Sequence, residues 1–215
     1  MDAILDNLDL YRQGFLTTLA LASLSAVLAL ALGTVLAAMR VSPVPPLRWA
    51  GATYVETVRN TPLTVVFFFS VFVLPQVGIR LSFFVFAVVA VTIYHAAFFC
   101  EAVRSGINSV AEGQAEAARS IGLTFSQSLR LVILPQAFRT VIPPIINVAI
   151  ALIKNTSIAA AFGVLELTGV GQSLSNANSD QVIPLLTGVA VCYLVITLPA
   201  GWLAGMLERR VAFSA

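Results

Sequence analysis

Five ionisable side chains interrupt apolar stretches of this 215-residue chain: Glu56, Arg59, His95, Arg139 and Lys154. A charge inside an apolar span is costly and marks a solute path, a gate or an internal ion pair. Glu56 and Arg59 are three residues apart and share a helical face. They read either as a neutralised pair locking two spans together or as a pair lining a path or inner gate, with Asn60 and Thr61 just beyond. Lys154 follows the apolar run 141–153 and precedes Asn155, Thr156 and Ser157. Counted from Pro143 it lies ~16 Å along a helix, near mid-bilayer. It faces a solute path or an internal partner, or it snorkels to the outer surface. His95, beside Tyr94, reads as a hydrogen-bonded packing histidine. Cys100 and Cys192 lie in separate apolar runs and read as small buried hydrophobes, with no metal-ligand spacing.

The chain around these residues belongs in a bilayer. It is 59% hydrophobic and 10% charged, with a mean hydropathy of +0.94. A soluble domain carries roughly 25% charged residues. The length suits a single transmembrane domain, 1–215, with no room for a soluble domain beside it. A net charge of +2 gives no nucleic-acid signature. The N-terminus is acidic, so its first apolar run reads as a retained span. A helical span needs about 20 apolar residues. Five stretches qualify: 14–39, 51–73, 81–100, 141–162 and 183–207. The expected class is all-α and polytopic, with five transmembrane helices, since backbone groups in lipid are bonded within helices or a closed barrel. Gly33, Gly188, Gly201 and Gly205 suit close helix approach. Pro62 kinks the second span, and Pro143 with Pro144 breaks the run from Ser126 to Phe162. Such a break lets the preceding loop move relative to the fourth span.

Basic residues orient the chain. With the N-terminus outside, the inner segments hold Arg40, Arg48, Arg104, Arg119, Arg130, Arg209 and Arg210. The outer ones hold Arg12 and Arg80, together with the acids Asp2, Asp6, Asp9, Glu166 and Asp180. The loop 101–130 is then cytoplasmic. Ser109 and Glu112 have the spacing of a capping box, as do Thr124 and Gln127. They predict a helix from Val110 to about Ile121, ended at Gly122 in a left-handed turn, and a second helix after it. Glu116 and Arg119 can pair on the first helix, and its alanines allow another surface to approach. No G-x-x-x-x-G-K-[ST] loop occurs, so the chain carries no such nucleotide site of its own.

The run Glu116-Ala117-Ala118-x-x-x-Gly122, followed by Ile133-Leu134-Pro135, resembles the loop by which permeases of binding-protein-dependent ATP-binding-cassette (ABC) importers dock on their ATPase. Glu56-Thr57-Val58-Arg59-Asn60-Thr61-Pro62-Leu63 is similar to the signature of the polar amino-acid branch, the histidine, glutamine, glutamate and arginine systems. So are Glu101-Ala102-Val103-Arg104-Ser105-Gly106-Ile107 and Lys154-Asn155-Thr156-Ser157. The pattern covers roughly residues 14–208, with Ser105 where glycine is usual and Phe98 where tyrosine is frequent.

The resemblance implies a type I importer permease core in the cytoplasmic (inner) membrane. It implies docking through Glu116, Ala117, Ala118, Gly122, Leu134 and Pro135. Glu56, Arg59, Asn60, Thr61, Lys154, Asn155, Thr156 and Ser157 are candidates for the path or gate. The expected partners are ABC ATPase subunits, a second permease (identical or paralogous), an extracytoplasmic solute-binding protein, an amino acid and the lipid bilayer. ATP and Mg would sit on the ATPase, with no cofactor or metal on this chain and no covalent catalysis by it. The basic excess inside the membrane leans the substrate toward glutamate, glutamine or aspartate. The rivals are a secondary transporter or channel uncoupled from any ATPase, and a membrane scaffold.

Overall fold

Apolar, alanine- and leucine-rich runs with few β-breaking patterns fold as helices throughout the computed structural model, which describes residues 2–212. Met1 and residues 213–215 lie outside the described residues, as do the side chains of Asp2, Ala3, Glu112, Phe125, Leu129, Glu208, Arg210, Val211 and Ala212. The helices are α1 (Asp2–Leu5), α2 (Leu8–Val41), α3 (Pro45–Arg59), α4 (Leu63–Phe68), α5 (Phe83–Asn108), α6 (Glu112–Ser120), α7 (Phe125–Ser128), α8 (Leu134–Asn155), α9 (Leu167–Ala177) and α10 (Val182–Ala212). No strand occurs among the described residues.

The core forms where α2 packs along α5. Gly33 makes this possible. A Cβ there would stand 2.7 Å from Phe99 Cβ and 2.8 Å from the Ala96 carbonyl oxygen. The expected use of Gly188 also holds: Tyr11 of α2 fills the space over it and donates its hydroxyl to the Leu185 carbonyl (2.6 Å). Gly201 and Gly205 have nothing within 4 Å of where a Cβ would lie, so they mediate no close packing inside the subunit. They share the C-terminal half of α10 with the exposed Leu198 and Trp202.

The expected second span is not one helix. α3 and the segment Leu63–Val77 meet at an angle of 104°. Pro62 supplies no N–H, and it takes an extended conformation (φ −60°, ψ 140°). The residues before it close off α3 from within. The Asn60 side-chain amide donates to the Glu56 carbonyl, and the Thr61 hydroxyl donates to that of Thr57, both at 2.8 Å. The outer arm continues from α4 through a π-helical turn and a 3-10 turn to Val77.

Pro143 and Pro144 do the opposite of what their chemistry predicts. The helical run continues from Ser126 to Phe162, with both prolines inside α8. Neighbouring helices sustain such a helix in a membrane by holding the segment and satisfying freed carbonyls. Here Val141 is pressed on Gly106 of α5, one residue pair before the prolines. The helices over the other expected stretches are Leu8–Val41, Phe83–Asn108, Ser126–Phe162 and Val182–Leu207. Four helices are long and apolar enough to cross a bilayer, and five spans result if the bent pair counts as one.

Candidate functional site

The polar loop builds a surface helix with a fixed end. Residue 122 has φ +87°, and the Gly122 and Leu123 amides donate to the Arg119 and Ala118 carbonyls (3.0 and 3.1 Å). This is a Schellman turn, and glycine is the residue that adopts it without strain. The second capping box forms as expected. The Thr124 amide donates to Gln127 Oε1 (2.9 Å), and the Gln127 amide donates to Thr124 Oγ1 (3.4 Å). The first box does not form as expected. α6 starts at Glu112 behind Ala111, without a side-chain cap, because the Ser109 hydroxyl is engaged with the Gly106 carbonyl (2.7 Å) and Thr140 Oγ1 (2.8 Å).

Glu116, Ala117, Arg119 and Gly122 are exposed, as are Leu134 and Pro135, whereas Ala118 is buried. Glu116 and Arg119 form no ion pair among the described residues. Ile121 projects at the helix end with 77% of its surface exposed. α6 is thus a short surface helix, exposed over most of its length and closed at its C-terminus by the Gly122 turn.

The membrane charges are arranged differently from their sequence pairing. Arg59 does not pair with Glu56. Its guanidinium is 3.7 Å from Glu101 and lies over the Phe98 ring, 5.6 Å from the centroid. Glu101 also takes Arg104 at 3.0 Å and a close contact from Arg40. One carboxylate thus gathers the ends of α2 and α3 onto α5. Arg59, the last residue of α3, reaches α5, while Glu56 is exposed and pairs with no arginine among the described residues. The i,i+3 spacing of Glu101 and Arg104 was the readable trace of this cluster; the two other arginines come from elsewhere in the fold. Replacing Glu101 by leucine is expected to cut the yield of detergent-stable protein severely, and Glu101→Gln less so. Removing one partner of a fully buried ion pair costs roughly 3–5 kcal/mol, and partial exposure of Glu101 makes this an upper bound. Size-exclusion yield checks it; a native yield of Glu101→Leu would mean the arginines need no anion.

Beside this cluster is a cleft of about 150 Å3 lined by Tyr94, His95, Phe98, Val148, Ala151 and Asn155. His95 is buried, with Nδ1 3.0 Å from the Val91 carbonyl oxygen and Nε2 3.2 Å from the Asn155 amide nitrogen. A neutral ring with its proton on Nδ1 donates to the first and accepts from the second, so His95 is the bonded histidine the sequence suggested. Of the other path candidates, Lys154 and Asn60 are exposed, and Thr61 lines a separate cleft with Ser70 and Ile93. Thr156 is buried and donates to Ile153, while Ser157 donates to the Lys154 carbonyl.

Glu166 departs most from its sequence placement among exposed outer acids. It is fully buried. Its carboxylate accepts from the Gly169 amide at the start of α9 (2.9 Å), the Tyr193 hydroxyl of α10 (2.6 Å) and the Thr18 hydroxyl of α2 (3.4 Å). It therefore fastens three helices by hydrogen bonds alone.

The family described as the binding-protein-dependent transport system inner membrane component matches residues 13–213. The chain belongs to this family. Its relatives include the probable glutamine ABC transporter permease protein GlnM of Bacillus subtilis, 42% identical over 212 residues, covering 97% of this chain and 96% of that one. The glutamate transport system permease protein GluC of Corynebacterium efficiens is 42% identical over 210 residues, covering 92% of each chain. Among solved structures, the crystal structure of an amino acid ABC transporter with histidines superposes with a TM-score of 0.90 at 30% identity over 96% of both chains. The all-α, polytopic importer-permease fold is thereby shown, and the chain is a transport subunit of an ABC importer.

Proposed function

We propose that this permease carries a polar amino acid, with glutamine, glutamate or aspartate favoured, driven by ATPase subunits that dock on α6. The observation that carries the reading is the exposed α6, ended by the Gly122 turn, in a chain with no nucleotide-binding loop of its own. Two relatives named for glutamine and glutamate support the substrate class. The basic excess inside the membrane agrees with it. A binding protein delivers the amino acid from outside, and a second permease, identical or paralogous, completes the path. ATP and Mg act on the ATPase. Closure of the ATPase pair moves the docking helices, and the span bundles rock between outward and inward openings. Lys154, Asn155 and Arg59 form the polar side of the path, with Glu56, Asn60, Thr61, Thr156 and Ser157 shaping its inner gate and walls.

The test is uptake into proteoliposomes. Labelled glutamine, glutamate or aspartate is expected to accumulate only with binding protein, ATPase and ATP together, and arginine to accumulate less. Flux without ATP would instead identify a secondary transporter or channel. The proposed orientation has the N-terminus outside and the C-terminus in the cytoplasm of a single multi-pass domain. In a background of Cys100→Ala and Cys192→Ala, Ala117→Cys is expected to be labelled only from the cytoplasm and Asn176→Cys only from outside. Both sites are exposed. Labelling of both from one side would remove one span from the count.

A further inference from the structure

We infer that α6, the last turn of α5 and the first turns of α8 form one rigid strut, with Ser109, Thr140 and Gly106 as its positioning residues. The inference rests on the reading of α6 as the ATPase contact. A docking helix does mechanical work only if its displacement reaches the spans undiminished. Between α5 and α6 lie only Ser109, Val110 and Ala111, and the Ser109 side chain does not cap α6. It reaches across to α8 instead. Ser109 Oγ is 2.7 Å from the Gly106 carbonyl oxygen and 2.8 Å from Thr140 Oγ1. Thr140 Oγ1 is in turn 3.2 Å from that same carbonyl.

The Gly106 carbonyl is among the last four of α5, which lack the usual helical partner, and its one backbone bond is a long one from the Ser109 amide (3.4 Å). With one proton on each hydroxyl, either Ser109 donates to this carbonyl and Thr140 to Ser109, or Ser109 donates to Thr140 and Thr140 to a carbonyl, Gly106 (3.2 Å) or Ala137 of its own helix (3.0 Å); the Ser109–Thr140 bond that ties the connector to α8 is made in both. Gly106 also lets α8 approach closely, since a Cβ there would run into Val141. A third link joins the docking helix itself to α8: Gln136 Nε2 donates to Gln114 Oε1 (3.4 Å). Gln136 and Thr140 are one helical turn apart, with Ala137 and Val141 buried beside them, so all the contacts fall along one stripe of α8. A push on α6 therefore enters α5 and α8 together, and the connector cannot absorb it by bending.

The experiment uses the assembled importer, with its ATPase and binding protein, in proteoliposomes. Thr140→Val keeps the side-chain shape and removes the hydroxyl; Thr140→Ser keeps the hydroxyl. Thr140→Val is expected to retain bound ATPase and to lower amino acid moved per ATP hydrolysed about fivefold, the scale of one net hydrogen bond. Thr140→Ser is expected to restore it. A second arm joins the strut covalently. With Cys100→Ala and Cys192→Ala in place, Ser109→Cys and Thr140→Cys are oxidised to a disulfide. The reduced pair lacks both hydroxyls and is expected to couple as poorly as Thr140→Val, whereas the disulfide replaces the lost hydrogen bonds by a covalent tie and is expected to bring coupling back to the native level. Native coupling in Thr140→Val, or loss of transport on locking, overturns the inference. Glu116→Lys serves as the control for the underlying reading. If it uncouples while Thr140→Val does not, only the strut fails; if Glu116→Lys is itself silent, the docking reading fails.

Discussion

Glu116→Lys and Gly122→Val are each expected to leave the protein inserted in the membrane while abolishing ATP-driven uptake. Glu116 is exposed and has no ion-pair partner among the described residues. Reversing its charge therefore costs the fold little, in the range of about ±0.5 kcal/mol for an uninvolved surface site. The whole effect falls on whatever faces α6 from outside. Gly122 isolates a different cause. Nothing lies within 4 Å of where its Cβ would be, so valine meets no steric obstacle. It meets only the backbone, because φ is +87° and a β-branched residue there is strained by roughly 1–2 kcal/mol. The chain escapes that strain by unwinding the end of α6, which displaces the exposed Arg119 and Ile121. Gly122→Asn, which tolerates the left-handed region better, is expected to keep much of the activity. Co-purification with the ATPase and solute-stimulated ATP hydrolysis are the measurements. Native values for both Glu116→Lys and Gly122→Val would end the docking reading.

The docking turn was legible in the sequence because its determinants are local. Gly122 needs only its own φ, and the Thr124–Gln127 box closes within four residues. Spans were legible for a similar reason: lipid demands long apolar runs whatever the packing. The charges were not. Helical spacing pairs Glu56 with Arg59, but tertiary packing brings Arg59 to Glu101, 42 residues on and in another helix, where Arg40 and Arg104 converge as well. Proline chemistry alone also misranked the breaks. Pro62 follows Asn60 and Thr61, whose side chains take the last carbonyls of α3 and make stopping there cheap. Pro143 and Pro144 lie beside the tight Gly106–Val141 contact, where tertiary packing holds the helix through them. Ser109 was misread as a local cap because its actual partner, Thr140, is 31 residues away. Glu166 gave no sign at all. An acid between spans reads as exposed unless the hydroxyls that bury it, from Thr18 and Tyr193, are already known to converge.

Lys154→Glu is expected to reduce uptake per assembled complex more than Lys154→Ala, with both leaving the yield of complex near native. The sequence allowed Lys154 to be a path residue, an internal ion-pair partner or a snorkelling cation. The fold removes the second within this chain. Lys154 is exposed, and no carboxylate among the described residues pairs with it. Its place near the end of α8 suits a cation, but a helix terminus returns only ~0.3–1 kcal/mol. A bare ammonium deep in hydrocarbon costs about 2.5–3.5 kcal/mol even on lenient scales. The terminus alone cannot offset that, so Lys154 must face water or an anion supplied from outside the chain. The neighbouring residue, Asn155, lines the cleft with His95 and Tyr94, while Lys154 is itself exposed. A carboxylate ~4 Å away at an effective dielectric of ~20 is attracted by about 4 kcal/mol before desolvation is counted. That attraction positions a passing amino acid without trapping it. Alanine removes the attraction, arginine preserves most of it, and glutamate converts it to repulsion at the point of passage. Uptake normalised to detergent-stable complex separates the cases. Unchanged transport per complex with reduced yield in Lys154→Ala would assign the ammonium to a carboxylate on the adjoining subunit and take it out of the path.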